Sequence, residues 1–300
     1  MSAFGKDKIP KDISQNKYIT REEIIHQAFK FHSQGHINKA SEYYQLFINR
    51  GFQDERIFAN YGIILQNLGK LKEAELLTRK AIEIKPDFVN ALSNLGNILK
   101  DLGKLDEAEL VTRKAIEIKP DFANALSNLG NILKDLGKLV EAELVTRKAI
   151  ELDPDKANFY FNLGNILKDL GKLDEAELVT RNAIELDPNQ ANFYFNLGDI
   201  LNALGKLKEA ELETRKAIKL NPSHPQSFYN LGIISMNLNN LENAMSSILK
   251  ALDLKMEYNK CVYIIGNILL RKGNYLEGLK KIKEGEGVIK FNLEKGIFIN

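Results

Sequence analysis

Asn60, Asn94, Asn128, Asn162, Asn196 and Asn230 stand 34 residues apart along the chain. A carboxamide carries both a donor and an acceptor, so it can hold a peptide group by its N–H and its C=O whatever side chain follows. More carboxamides lie at fixed offsets from these six. Asn90, Asn124, Asn158 and Asn192 come four residues earlier, and Asn97, Asn131 and Asn165 come three later, with Asp199 in the next such place. Asp101, Asp135 and Asp169 follow at a further four. On a helix, offsets of four, three and four share one stripe, because 100° per residue brings them within about 60° of one another. Phe161, Phe195 and Tyr229 each precede one of the asparagines and flank the stripe. They supply either apolar pockets beside the amides or packing between adjacent helices.

Residues suited to bond-making chemistry are scarce. His32 and His36 have a metal-binding spacing, but Gly35 falls between them at a turn and no third ligand is evident. The stretch KEGEGVIKF from Lys283 lacks the Gly-Lys-Ser/Thr ending of a phosphate loop and a strand before it. No nucleophile–histidine–acid set, HExxH or dinucleotide fingerprint is visible, so the expectation is no catalysis, no metal and no cofactor. A single cysteine, Cys261, excludes an internal disulfide framework and suits a reducing compartment. The chain has 27% charged residues yet a net charge of only +2. Residues 255–300 hold nine Lys or Arg against five Asp or Glu, so the middle is acidic, which speaks against nucleic acid. The N-terminal residues lack a signal peptide's apolar core, and no run reaches bilayer-spanning length. The expectation is a cytoplasmic protein with no membrane contact.

The elements that carry the asparagines repeat. Glycine follows leucine or its equivalent at 62, 96, 130, 164, 198, 232 and 266, every 34 residues. Turn glycines fall at 35, 69, 103, 137, 171, 205 and 273, with Asn239 in the one gap. Alanines recur at 74, 108, 142, 176, 210 and 244, and again at 81, 115, 149, 183, 217 and 251. Prolines close units at 86, 120, 154, 188 and 222. Eight units follow, starting at 21, 55, 89, 123, 157, 191, 225 and 259. In the third, Leu92, Leu95, Leu99 and Leu102 form one apolar helical face, Gly103 ends that helix, and Leu105, Ala108, Val111, Ala115 and Ile118 form a second face. Each unit therefore reads as an antiparallel helix pair.

This pattern resembles the tetratricopeptide repeat in its 34-residue period, its Leu-Gly pair, its two alanines and its closing proline. The resemblance implies an all-α, right-handed α-solenoid, or superhelix, of about eight helix pairs over 21–292, with atypical capping units at both ends. A polar segment over 1–20, with disorder as the expectation, precedes it, and a tail over 293–300 follows. Thr78, Thr112, Thr146, Thr180 and Thr214 depart from the family pattern, which has a large residue there. Gly278 and Gly285 replace alanines in the eighth unit, which predicts a weakened last helix.

In this family the first helices line the concave wall, which would carpet the groove with carboxamides. The ladder at Asn60, Asn94, Asn128, Asn162, Asn196 and Asn230 resembles the one in the repeat region of O-linked N-acetylglucosamine transferases, where such asparagines hold extended polypeptide. The earlier and later asparagines extend that role by geometry. A terminal-carboxylate clamp would need cations on the stripe, and only Arg56 qualifies. The alternative for each asparagine is a bond to a neighbouring helix. The leading expectation is a non-catalytic scaffold for protein–protein interaction that binds an extended peptide. Alternatives are a substrate-recruiting accessory of a separate glycosyltransferase- or sulfotransferase-like partner and, less favoured, single-stranded RNA binding. Self-association through the near-identical units stays open.

Overall fold

The computed structural model describes residues 19–286, 289–292 and 296–299. The segment expected to be disordered, 1–20, lies outside them apart from its last two residues. The chain divides into two compact bodies, one ending at Leu152 and the other beginning at Asp153.

The first body is a stack of four helix pairs: α1 (Arg21–Ser33) with α2 (Ile37–Asn49), α3 (Glu55–Asn67) with α4 (Leu71–Ile84), α5 (Val89–Asp101) with α6 (Leu105–Ile118), and α7 (Ala123–Asp135) with α8 (Leu139–Leu152). The second holds α9 (Ala157–Asp169) with α10 (Leu173–Leu186), α11 (Ala191–Ala203) with α12 (Leu207–Leu220), α13 (Pro225–Asn237) with α14 (Leu241–Asp253), and α15 (Tyr258–Arg271) with α16 (Tyr275–Glu286). Each body is a helical solenoid of antiparallel pairs, and the second ends in a short two-stranded hairpin. The helices are thirteen or fourteen residues long except α16. Such short helices depend on tertiary burial rather than on propensity.

The turn inside each pair has one physical cause. In the third pair Gly103 N–H bonds Lys100 O at 2.9 Å and Lys104 N–H bonds Leu99 O at 2.9 Å, which closes α5 as a Schellman motif. That closure needs a left-handed residue, and Gly103 has φ +75°. Asn239, in the one unit without the glycine, takes φ +61° itself.

Both alanine series are fully buried between helices. The threonines explain how the pairs close. A methyl group on Gly62, Gly96, Gly130, Gly164 or Gly198 would collide with the hydroxyl of the facing threonine. Thr112, Thr146 and Thr180 turn that hydroxyl onto the carbonyl one turn back, at 2.7–2.8 Å. A glycine and a threonine thus share the space that a larger residue fills elsewhere, as Ile248 does against Gly232.

The C-terminal end departs from the repeat pattern. α15 begins at Tyr258, one residue ahead of the 34-residue frame, and the last helix, Tyr275–Glu286, is shorter than the others, as the two glycines in it lead one to expect. Residues Ile289–Asn292 (β1) instead pair antiparallel with Gly296–Ile299 (β2), Ile289 opposite Ile299. Two glycines and two β-branched residues in the stretch from Gly285 to Ile289 disfavour further helix. Gly278 and Gly285 are contact points: side chains there would strike Leu270 and the backbone of α15. They let α16 approach closer than alanine allows.

Candidate peptide-binding groove

In the first body the first helices of successive pairs place their asparagines in one open groove of about 740 Å³. Asn60, Asn90, Asn94, Asn97, Asn124 and Asn128 all line it. Asn90 and Asn124 are exposed, and the other four are half-buried. Asn131, also half-buried, is not among the lining residues. Asn128 Nδ2 donates to Ser93 Oγ at 2.9 Å, so its amide is held by the neighbouring first helix.

Aromatic rings complete the groove. Phe29, Phe88 and Phe122 line it together with Ala59 and Ile63. Phe88 and Phe122 are N-cap residues of α5 and α7, each following Pro-Asp, and each carries a lysine ammonium over its ring at 5.8 and 5.6 Å. Their own 34-residue spacing was the signal that a reading centred on asparagines passes over. Arg56 is the one charged lining residue, and Asp54 engages it at 3.1 Å through Nε and 2.8 Å through Nη2. Burial alone would raise the Asp54 pKa, but the Arg56 contacts outweigh it and hold the carboxyl below its usual value. Arg56 also lies 5.6 Å from the Phe29 ring centre. The groove is therefore polar, uncharged in balance, and part aromatic.

The carboxylates expected at its edge are neutralised. Asp101 accepts from Gln66 at 2.6 Å and faces Lys100 at 3.4 Å, and Asp135 faces Lys134 at 3.0 Å. In the second body Asp199 faces Lys168 at 2.8 Å.

The second body treats its asparagines differently. Asn158 and Asn192 are exposed, while Asn162, Asn165 and Asn230 are half-buried. Asn165 Nδ2 donates back to Phe161 O at 3.1 Å, and Asn230 Nδ2 reaches Asp199 at 3.5 Å. Asn196 is 2% exposed, enclosed rather than facing a groove. The aromatic residues pack between helices. Phe161 lies 5.0 Å from Phe193, Phe195 meets His224 edge-on at 5.2 Å, and Tyr229 packs on the cluster that holds Cys261 and Ile264. Burial pushes the Tyr229 phenol and the Cys261 thiol up.

On the opposite face, Glu–Arg pairs four residues apart on the second helices extend into the next repeat. Glu75 accepts from Arg79 at 2.9 Å and also from Lys104 of the next repeat at 2.8 Å, and Arg79 goes on to Glu107 at 2.5 Å. The same chain recurs through Lys138, Glu109, Arg113 and Glu141, and through Lys206, Glu177, Arg181 and Glu209. These ions stitch adjacent repeats together. His32 and His36 part company: His32 Nδ1 bonds the Tyr44 hydroxyl at 2.9 Å, and the His36 ring meets Phe31. No group of three or more His, Cys, Asp or Glu could hold a metal among the described residues.

Family profiles described as tetratricopeptide repeat match residues 55–88, 77–109, 191–224 and 225–258, and a TPR repeat profile matches 96–137, 130–171 and 164–205. The chain belongs to the tetratricopeptide-repeat (TPR) family. No curated protein matches it in sequence. Among solved structures, it is similar to a TPR protein from Parabacteroides merdae ATCC 43184 (19% identity, TM-score 0.64, 83% of this chain and 98% of that one). It is also similar to a chain of the Cut9–Hcn1 hetero-tetramer of the APC/C (15% identity, TM-score 0.70, 92% of this chain and 55% of that one). YrrB, described as a TPR protein with an unusual peptide-binding site, matches at 26% identity over 62% of this chain and 96% of that one, with a TM-score of 0.49. The TPR fold is that of a protein-interaction scaffold, whose stacked repeats offer extended concave binding surfaces. No helix among the described residues is long and apolar enough to cross a membrane.

Proposed function

We propose that this TPR protein is a non-catalytic scaffold that holds an extended, largely uncharged polypeptide in the groove of its first body. The observation that carries the reading is the convergence of six asparagine carboxamides on one open groove whose single cation is already paired. Main-chain amides offer alternating N–H and C=O groups, and carboxamides match both. Phe29, Phe88 and Phe122 add apolar surface for the ligand's side chains. A reducing, cytoplasmic setting belongs to this reading, in keeping with the single buried Cys261.

The test is a panel of immobilised 15-residue peptides of varied sequence, probed with wild type, with an Asn94→Ala/Asn128→Ala variant and with a Leu110→Ala/Leu144→Ala variant of the opposite face. Each lost carboxamide contact removes about 1 kcal/mol, so the asparagine variant binds about 20- to 30-fold more weakly across many sequences. The leucine variant binds as wild type does. Equal binding by the asparagine variant and wild type, with the same helical signal, overturns the reading.

A further inference from the structure

Asn196 is the exception among the ladder asparagines. Its side chain is 98% enclosed, and its Nδ2 has no hydrogen-bond partner. The chain supplies its own control. Asn128, in the same register two repeats earlier, donates to Ser93 on the preceding first helix. The residue in the register of Ser93 that faces Asn196 is Phe161, which has no acceptor on its side chain. Asn230 also has an aromatic residue, Phe195, in that register, but it reaches Asp199; for Asn196 the residue in the place of Asp199 is Asn165, whose amide turns back to Phe161 O, so neither acceptor is offered.

The neighbours of Asn196 lie on α9 and on its own helix, α11. On α9, Phe161 and Gly164 are one turn apart, and on α11, Phe193 and Asn196 are one turn apart. Phe161 meets Phe193, and Asn196 Nδ2 lies 3.6 Å from where a Gly164 side chain would begin. The aromatic pair and the amide are thus neighbouring layers of one interface. Phe193 is buried, and Phe161 is only half-buried. Of the two rings, Phe161 is the one able to swing out without unpacking the core. An unsatisfied buried amide carries a penalty that an incoming acceptor relieves.

We propose that Phe161 is a lid over a concealed rung of the ladder. When its ring swings outward, a main-chain carbonyl of the ligand accepts from Asn196 Nδ2, and an apolar ligand side chain takes the place of Phe161 against Phe193. This rests on the peptide-binding reading above and adds a preference: the second body selects an extended segment that bears an apolar residue. The position acts as a latch rather than as an open contact.

Two substitutions at one position separate the lid from a merely structural role. Phe161→Ala removes the cover and leaves Asn196 without an internal partner. Phe161→Ser removes the cover and supplies the hydroxyl that Ser93 gives Asn128. The probe is a fluorescent, unstructured 15-residue peptide of Ser, Thr and Ala with one central Leu, followed by anisotropy with the full chain. Phe161→Ala is expected to tighten binding about fivefold, because no ring need be displaced. Phe161→Ser is expected to bind about fivefold more weakly than Phe161→Ala, because the amide is already engaged. The difference vanishes in an Asn196→Leu background. If wild type binds and both variants shift affinity equally, the lid is wrong and the groove reading stands. If wild type does not bind this peptide or any on the panel, the groove reading falls and the lid with it.

Discussion

Replacing Gly130 by alanine is expected to destabilise the protein, against the usual trend in helices. An alanine in place of a helical glycine ordinarily gains about 1 kcal/mol. Here the added methyl meets Thr146 Oγ1, which is fully buried and donates to Ala142 O at 2.8 Å. The hydroxyl must turn away, which breaks that bond and leaves a buried donor, at about 1–3 kcal/mol. Crowding in a closely packed interface adds about 1–3 kcal/mol. The net expectation for Gly130→Ala is a loss of about 1–5 kcal/mol. Urea unfolding followed by far-ultraviolet circular dichroism reads it. The double variant Gly130→Ala/Thr146→Ala removes the obstructing hydroxyl and regains at least about 1 kcal/mol over the single one. A single variant more stable than wild type, or a double variant no better than the single, would refute the account of how each pair closes.

Three more expectations follow from the same geometry. Gly137 sits at φ +76° with open space around it, so Gly137→Asn should cost less than Gly137→Ala, as Asn239 already shows at the equivalent turn; thermal melts compare the two. The inter-repeat ion chains should make stability fall with acid. Burial works to raise the pKa of Glu75 and Glu177, but hydrogen bonds from Lys104 and Lys206 and from the arginines outweigh it, and Glu109 is lowered chiefly by Lys138. Carboxylates held below their ordinary 4.5 contribute stability that is full above that value and is lost as pH falls through the lower folded value. Urea midpoints between pH 7 and pH 3 should therefore drop more steeply in wild type than in a Glu75→Gln/Glu109→Gln/Glu177→Gln variant, and parallel curves would exclude the effect. Finally, Phe122→Leu should weaken binding of the leucine-bearing peptide while Asn131→Ala, at a position outside the lining of the groove, leaves it unchanged; anisotropy measures both.

The fold was legible because the repeat writes the same physical instructions eight times. A glycine at seven of the eight turns, alanines where helices touch and a helical leucine period leave little choice of architecture. What escaped was set by contacts 16 to 35 residues apart. Lys104 looks like a solvated turn residue until Glu75 of the preceding repeat is seen beside it. Thr146 looks too small for its place until Gly130 is seen opposite. The asparagine stripe was legible as a period, but the fate of each member was not. Asn94 lines an open groove, Asn128 leans on Ser93, and Asn196 is buried with its Nδ2 unpartnered. The end of the array was legible in part: GEGVIKFNLEKGIFIN leaves the helical period and partly alternates, as an extended segment does, and the pairing of β1 with β2 is what the structure adds.

The central claim is that the carboxamides of the first body bind main-chain amides. The most direct test is nuclear magnetic resonance of the asparagine side-chain NH₂ groups during titration with the leucine-bearing peptide. The account predicts that the side-chain signals of Asn60, Asn94 and Asn97 move in step with occupancy while the backbone signals of Leu110 and Leu144 stay in place. Shifts confined to the leucine face, or saturable binding that leaves those carboxamide signals unmoved, would contradict it.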